Sequence, residues 1–183
     1  MQENPMTTGH VFIATSLDGF VARQDHSLDW LLKQPDAEDD DGGFAAFMDS
    51  VDGLVMGTGS FRTVLGFGQW PYTKPVVVLS NSLSEQDIPE ELKDKVRLST
   101  AAPADLMQEL QEQGWTRAYV DGGRMVQSFL RQGLIADLTI TTVPILIGSG
   151  IPLFGSLDRD IDLKVASSRI LPTGMVQTTF QVA

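Results

Sequence analysis

The sequence predicts an α/β fold, a single domain built on a mixed, largely parallel central sheet flanked by helices. Three observations predict it. Short apolar runs rich in β-branched residues alternate with segments of helical spacing, the pattern of parallel strands joined by crossover helices. Several of those runs end at glycine just before a helix, which is punctuation of the strand-to-helix kind. The last two runs, 163–167 and 176–182, flank Leu171-Pro172-Thr173-Gly174, which marks a terminal antiparallel hairpin and makes the sheet mixed.

The elements follow in order. Residues 1–8 read as a polar tail, and 9–183 as the one domain. Residues 10–15 (HVFIAT) are a buried strand that opens at Ser16-Leu17-Asp18-Gly19-Phe20 into a turn. Leu28, Trp30, Leu31 and Leu32 form an apolar patch suited to a short helix or to the cover of a cleft. Five carboxylates then crowd six positions: Asp36, Glu38, Asp39, Asp40 and Asp41. On their own they fit a solvated loop that caps the next helix, whose core-facing stripe is Phe44, Phe47, Met48 and Val51.

Residues 53–57 (GLVMG) are a second strand, with a helix starting near Thr58. Residues 75–80 (PVVVLS) are a third strand and 96–98 a fourth. A helix over 104–113 ends at Gly114. Residues 118–121 (AYVD) are a strand, followed by Gly122-Gly123 and a helix carrying Met125, Val126, Phe129 and Leu130. Residues 137–142 are a strand, and VPILI at 143–147 leads into Gly148-Ser149-Gly150.

Composition narrows the chemistry. There are 183 residues, 42% hydrophobic and 20% charged, enough for a full core without staples. Lys and Arg number 13 against 24 Asp and Glu, a net charge of −11, which argues against nucleic-acid or anionic-membrane partners. With no cysteine, disulfides, thiol nucleophiles and Cys-ligated metals are excluded. Only His10 and His26 are present, so no metal site is expected. No apolar run approaches the ~18 residues of a membrane span, and MQENPMTTGH has none of the regions of a signal peptide. A cytoplasmic protein follows by elimination.

Two strand–glycine–helix junctions are the candidate binding elements: Val55-Met56-Gly57-Thr58-Gly59-Ser60 and Val120-Asp121-Gly122-Gly123-Arg124. Glycine at a strand tip lets a ligand approach the backbone, and the following helix aims unpaired N–H groups at it. Two such junctions in one sheet would hold the two ends of a dinucleotide. Each alone is more often a plain turn, since neither is a complete G-x-G-x-x-G or Walker sequence. Arg124 is placed for a phosphate or for an acidic neighbour. No nucleophile–base constellation is visible, so a reaction whose reactive atom belongs to a cofactor fits best.

Several segments in this order resemble the dihydrofolate-reductase-like proteins, which include the reductase domain of the bifunctional riboflavin-biosynthesis deaminase/reductase. They are Ser16-Leu17-Asp18-Gly19-Phe20-Val21-Ala22 with Ser27-Leu28-Asp29-Trp30-Leu31, Val55-Met56-Gly57 with Ser60-Phe61, 75–80, Val120-Asp121-Gly122-Gly123, Gly133-Leu134-Ile135-Ala136-Asp137 and the stretch 144–154 (PILIGSGIPLF). The resemblance implies a dihydrofolate-reductase-like sheet that binds NADPH and reduces a pterin- or pyrimidine-like heterocycle. It implies Ala14 against the nicotinamide, and Gly57, Thr58, Gly59 and Ser60 at the phosphates. Ser80 would lie on the adenosine side, and Gly122, Gly123, Arg124, Met125 and Val126 around the diphosphate and nicotinamide. Asp121 and a carboxylate of the acidic run, Asp40 or Asp41, would face the substrate, with Asp18 and Trp30 bordering it. It also implies a homodimer, with an edge strand near the terminal hairpin as the contact.

Three departures qualify that picture. Thr58 stands where dihydrofolate reductases carry an arginine for the 2′-phosphate of NADPH. Asp29-Trp30 replaces the Pro-Trp of the folate enzymes. The zinc deaminase domain that often accompanies the riboflavin reductase is absent from this stretch of chain. The leading expectation is therefore a stand-alone NADPH-dependent reductase of a heterocycle resembling 5-amino-6-(5-phosphoribosylamino)uracil. The alternative is a non-catalytic relative that keeps the fold and has lost the cofactor. A hydrolase built on His26 and a serine is the third reading.

Overall fold

A computed structural model describes residues 6–35 and 39–183. Ten strands and five α-helices are arranged in the order β1 (Thr8–Ser16), β2 (Phe20–Ala22), α1 (Asp29–Leu32), α2 (Phe44–Asp49), β3 (Gly53–Gly57), α3 (Thr58–Leu65), β4 (Val76–Leu79), β5 (Val96–Ser99), α4 (Pro103–Glu112), β6 (Arg117–Asp121), α5 (Gly123–Arg131), β7 (Ile135–Val143), β8 (Ile151–Pro152), β9 (Leu163–Ile170) and β10 (Val176–Val182). Eight strands form one sheet in the order β5-β4-β3-β6-β1-β7-β10-β9. The first six run parallel, and β10 and β9 are antiparallel, so the sheet is mixed as expected.

The central strands are apolar throughout because both faces of the sheet are covered. Alternation divides their side chains between two cores. Val55, Val77, Val120 and Val11 face α4 and α5, where Leu106, Met107, Leu110, Val126 and Phe129 are buried. Leu54, Met56, Val76, Val78 and Tyr119 face the other way, onto Phe61 and Val64 of α3 and the rings of Phe44 and Phe47 of α2. Each fully buried side chain of this kind contributes roughly 1.5–3 kcal/mol relative to exposure.

This division sets the position of the site. Strands β3 and β6 are hydrogen-bonded neighbours, with Met56 opposite Asp121. The helix that follows β3 packs on one face, and the helix that follows β6 packs on the other. A crevice opens between two such diverging connections, beyond the carboxyl ends of the strands.

Two expectations need correction. The polar tail is shorter than residues 1–8: Thr7 is buried with its hydroxyl donating to the Trp115 carbonyl at 2.7 Å, and β1 already begins at Thr8. The segments after β1 and around 151 are not only loops. Phe20–Ala22 and Ile151–Pro152 pair as a small antiparallel ribbon, a long-range pairing too short to leave a periodic signal. Among the described residues, no helix is long and apolar enough to cross a membrane.

Candidate active site

A cavity of about 970 Å³ occupies that crevice. The tips of β1, β3, β4, β5 and β6, the first turns of α3 and α5, and the loop after β2 line it. Helix α3 starts at Thr58 and α5 at Gly123, and no side chain caps either N-terminus. The orphan N–H groups of two first turns therefore lie at the same cavity, where an anion would satisfy them. Glycine is required at Gly122: its φ is +97°, and a Cβ there would lie 2.5 Å from Ser60 Oγ. Gly57 is different, since its backbone is extended and a Cβ would make only an ordinary 3.5 Å contact with Met125.

Thr58 Oγ1 donates to Ser80 Oγ at 2.8 Å, joining the tips of β3 and β4. Ser80 Oγ in turn accepts the N–H groups of Ser82 and Leu83, so this hydroxyl ties down the loop after β4. Gly59 lies under the ring of His26, whose nearest atom is 2.6 Å from where a Cβ would stand. His26 is also the one non-glycine residue among those described with a positive φ, at 67°.

The cavity floor carries a carboxyl and two phenols. Asp121 keeps some exposure to the cavity, but the protein around it displaces water, and this desolvation lifts its carboxyl above the usual range. The Gly122 N–H and the hydroxyls of Tyr119 and Ser60 oppose that rise without cancelling it. Tyr119 Oη donates to the Phe12 carbonyl at 2.9 Å and stands 3.4 Å from Asp121 Oδ1. Burial, and then the charge of Asp121, hold the phenols of Tyr72 and Tyr119 well above their ordinary value, so both stay protonated. A carboxyl shifted toward its acid form by desolvation is suited to proton transfer.

The structure brings together most of the residues singled out in the sequence. Ala14, Gly57, Thr58, Gly59, Ser60, Ser80, Asp121, Gly122, Gly123, Arg124 and Met125 all line the cavity. Five others are placed elsewhere. Val126 is fully buried in the core beneath α5. Trp30 is fully buried too, and its neighbours Leu28 and Leu31 line the cavity instead. Asp18 accepts the Ser16 hydroxyl at 2.6 Å and the Gly148 N–H at 2.8 Å, so it pins the loop after β7 to the turn after β1.

Asp40 accepts the Gly42 N–H, and Asp41 accepts the N–H groups of Gly43 and Ala45 at the start of α2. Those two carboxylates act as turn and helix-start acceptors, as a capping loop would require; Asp36 and Glu38 lie outside the described residues. His10 is buried at the opposite end of the strands, with Nδ1 2.8 Å from Asp137 and Nε2 2.9 Å from Thr8. That pairing leaves it no part in a hydrolytic site.

The sequence reading missed several lining residues: Tyr72, Tyr119, Leu79, and the β5 tip with Ser99, Thr100 and Ala101. Tyr119 was within reach, because it lies two residues before Asp121 and so shares its face of β6. The tip of β5 follows from the strand order rather than from local pattern. Tyr72 sits in the irregular segment between α3 and β4, where no periodicity announces it.

Comparison with known proteins agrees with this geometry. The model of the RibD C-terminal domain family matches residues 7–177. YwjB of Bacillus subtilis (strain 168), an uncharacterized protein, is 29% identical over 163 residues, 87% of this chain and 89% of YwjB. A putative riboflavin biosynthesis protein from Shewanella sp. PV-4 superposes with a TM-score of 0.91 at 42% identity, over 97% of this chain and 99% of that one. The diaminohydroxyphosphoribosylaminopyrimidine deaminase/5-amino-6-(5-phosphoribosylamino)uracil reductase of Thermotoga maritima superposes with a TM-score of 0.74 at 12% identity. That match covers 97% of this chain and 57% of the longer protein, and at this identity it speaks for the fold alone.

Proposed function

This chain belongs to the RibD C-terminal domain family, and we propose that it is a cytoplasmic NADPH-dependent reductase of a small pyrimidine-like heterocycle. One observation carries the reading: two uncapped helix N-termini meet at a single cavity, above a carboxyl that desolvation shifts toward its acid form. The fit to a dinucleotide rests on those orphan donors. The backbone of Gly57, Thr58, Gly59 and Ser60 would hold one part of the phosphate chain, and that of Gly122, Gly123, Arg124 and Met125 the other. Ser80 would face the adenosine end and Ala14 the nicotinamide. Thr58 brings no charge to a 2′-phosphate, so selectivity for NADPH over NADH falls to Arg62 and Arg124, the two arginines of the lining.

NADPH, when bound, would supply a hydride to C1′ of the open-chain imine, the C=N group that forms when the ring of a ribosylamine opens. The substrate nitrogen then needs a proton, and Asp121 provides it from a carboxyl whose burial favours the acid form. The Gly122 N–H and the Ser60 hydroxyl support the carboxylate left behind. Water refills the proton once product leaves. The substrate we favour is 5-amino-6-(5-phosphoribosylamino)uracil or a close analogue, the compound in the name of the Thermotoga relative's reductase activity.

The chain also acts as a homodimer in this reading, through the outer edge of β9, whose eight residues are all exposed.

The test is consumption of NADPH absorbance on mixing the protein with that uracil derivative. Turnover that vanishes in Asp121→Asn supports the reading. Saturation by neither NADPH nor NADH, with no turnover, sinks the reductase reading and leaves the non-catalytic alternative.

A further inference from the structure

The site holds a hydrogen-bond donor that the proposed reaction does not use. Tyr72 reaches the cavity from the segment between α3 and β4, its ring edge-on to Trp70 with centroids 5.4 Å apart. It is only 9% exposed. Its hydroxyl makes no hydrogen bond with any described residue, and its main polar neighbour is the charge of Asp121. The hydroxyl is not fully enclosed: it opens on the cavity, where solvent satisfies it and a ligand acceptor can take the solvent's place.

The two phenols divide the work. Tyr119 commits its one O–H to the Phe12 carbonyl at 2.9 Å, and its 3.4 Å separation from Asp121 is long for a second bond. Ser60 and the Gly122 N–H also bond Asp121. Asp121 nonetheless keeps partial exposure to the cavity, where a carboxyl oxygen accepts a ligand hydrogen bond whether or not the other oxygen carries a proton. The charged group that acts on both Tyr72 and Tyr119 is Asp121.

We propose that Tyr72 and Asp121 form a donor–acceptor pair that reads a lactam edge of the substrate ring. The Tyr72 hydroxyl donates to a ring carbonyl, and a carboxyl oxygen of Asp121 accepts the neighbouring ring N–H. This deepens the reductase reading and rests on it. It makes Tyr72 a substrate-binding residue that selects oxo-pyrimidines over rings without carbonyls. A site built around a hydrogen bond discriminates strongly against ligands lacking the matching group.

The chain has two tyrosines, both in this cluster, so tyrosine labelled with ¹³C at Cζ yields two resonances, assigned by Tyr72→Phe and Tyr119→Phe. The probes are 5,6-diaminouracil, which carries the lactam edge, and 4,5-diaminopyrimidine, which lacks both carbonyls. Saturating NADP⁺ fills the cofactor side without turnover. The expected result is a shift of the Tyr72 resonance with diaminouracil and none with NADP⁺ alone. Wild type should bind diaminouracil about a hundredfold more tightly than diaminopyrimidine, roughly tenfold for each of the two hydrogen bonds. That preference should fall about tenfold in Tyr72→Phe, with NADP⁺ affinity unchanged.

Three results overturn the proposal: a Tyr72 resonance unmoved by diaminouracil, one moved as far by NADP⁺ alone, or an undiminished preference in Tyr72→Phe. Failure of NADP⁺ to bind is a separate outcome that removes the cofactor reading, while the ring probes still decide the role of Tyr72. The variant retains the aromatic ring packed on Trp70, and the wild-type resonances report whatever its stability.

Discussion

In the proposed reaction Asp121 is the proton donor, and its burial carries a stability cost that can be measured. Its folded-state carboxyl is lifted mainly by desolvation, so the native state holds a proton that the unfolded chain has released above its ordinary value of 3.8. Stability therefore declines as pH rises from that value through the raised one, and the deficit persists at neutral pH. Asp121→Asn should melt at a higher temperature than wild type at pH 7 and lose that advantage near pH 3. Its turnover should fall by about 10² or more, the worth of a general acid. Paired melting curves and rates at the two pH values check both halves. Gly122 presents the opposite case, where the backbone decides. With φ at +97° and Ser60 Oγ 2.5 Å from where a Cβ would stand, Gly122→Ala should lose about 1–3 kcal/mol in a denaturant titration and weaken NADPH binding together with it. Asp121 was legible as a polar residue at the end of an apolar strand. Tyr72 was not, because its place depends on a loop returning over α3.

Helix α3 and its neighbours test how much of cofactor choice lies in one element. Thr58 opens α3 and is bonded to Ser80, so it holds two strand tips together without offering charge. Thr58→Arg should raise the preference for NADPH over NADH by about tenfold or more, since an arginine–phosphate pair is charge-assisted and bidentate. Calorimetric titration with each dinucleotide reads it. The loop after β7 depends instead on Asp18, held below the usual carboxylate range chiefly by the Ser16 hydroxyl, then by the Gly148 and Ile147 N–H groups. Its contribution is present above pH 3.8 and is lost as pH falls through the lowered folded value. Asp18→Ala should melt below wild type at pH 7, converge with it in strong acid, and bind NADPH within twofold of wild type. Strands such as 53–57 and 118–121 were legible because both faces are buried and the apolar run is continuous. Asp18, Asp40 and Asp41 suggested ligand contacts by analogy, yet their oxygens are taken up by backbone N–H groups of nearby turns. A one-dimensional pattern cannot separate those two fates for a carboxylate beside glycine.

At the scale of the molecule, the strand order explains both the cavity and an unfinished surface. The alternation of strands and helices made a parallel sheet legible, and the terminal hairpin made it mixed. The order β5-β4-β3-β6-β1-β7-β10-β9 was not, because the insertion of β6 between β3 and β1 is a long-range choice. That insertion sets the two glycine junctions side by side. The same order leaves β9 at the outer edge with Val165 64% and Ile170 76% exposed, an edge natural proteins cover or charge. Val165→Lys should convert a two-chain particle to a single chain in size-exclusion chromatography with light scattering. The central claim is that two orphaned helix starts at neighbouring strand tips grip one dinucleotide. Trp30 is sealed in the core and does not line the cavity, so intrinsic fluorescence is a poor reporter, and calorimetry is direct. Titrating the protein with NADPH should give one site per chain, with affinity that falls in Gly122→Ala. Absence of binding heat across several temperatures, with NADPH and NADH alike, would contradict the account.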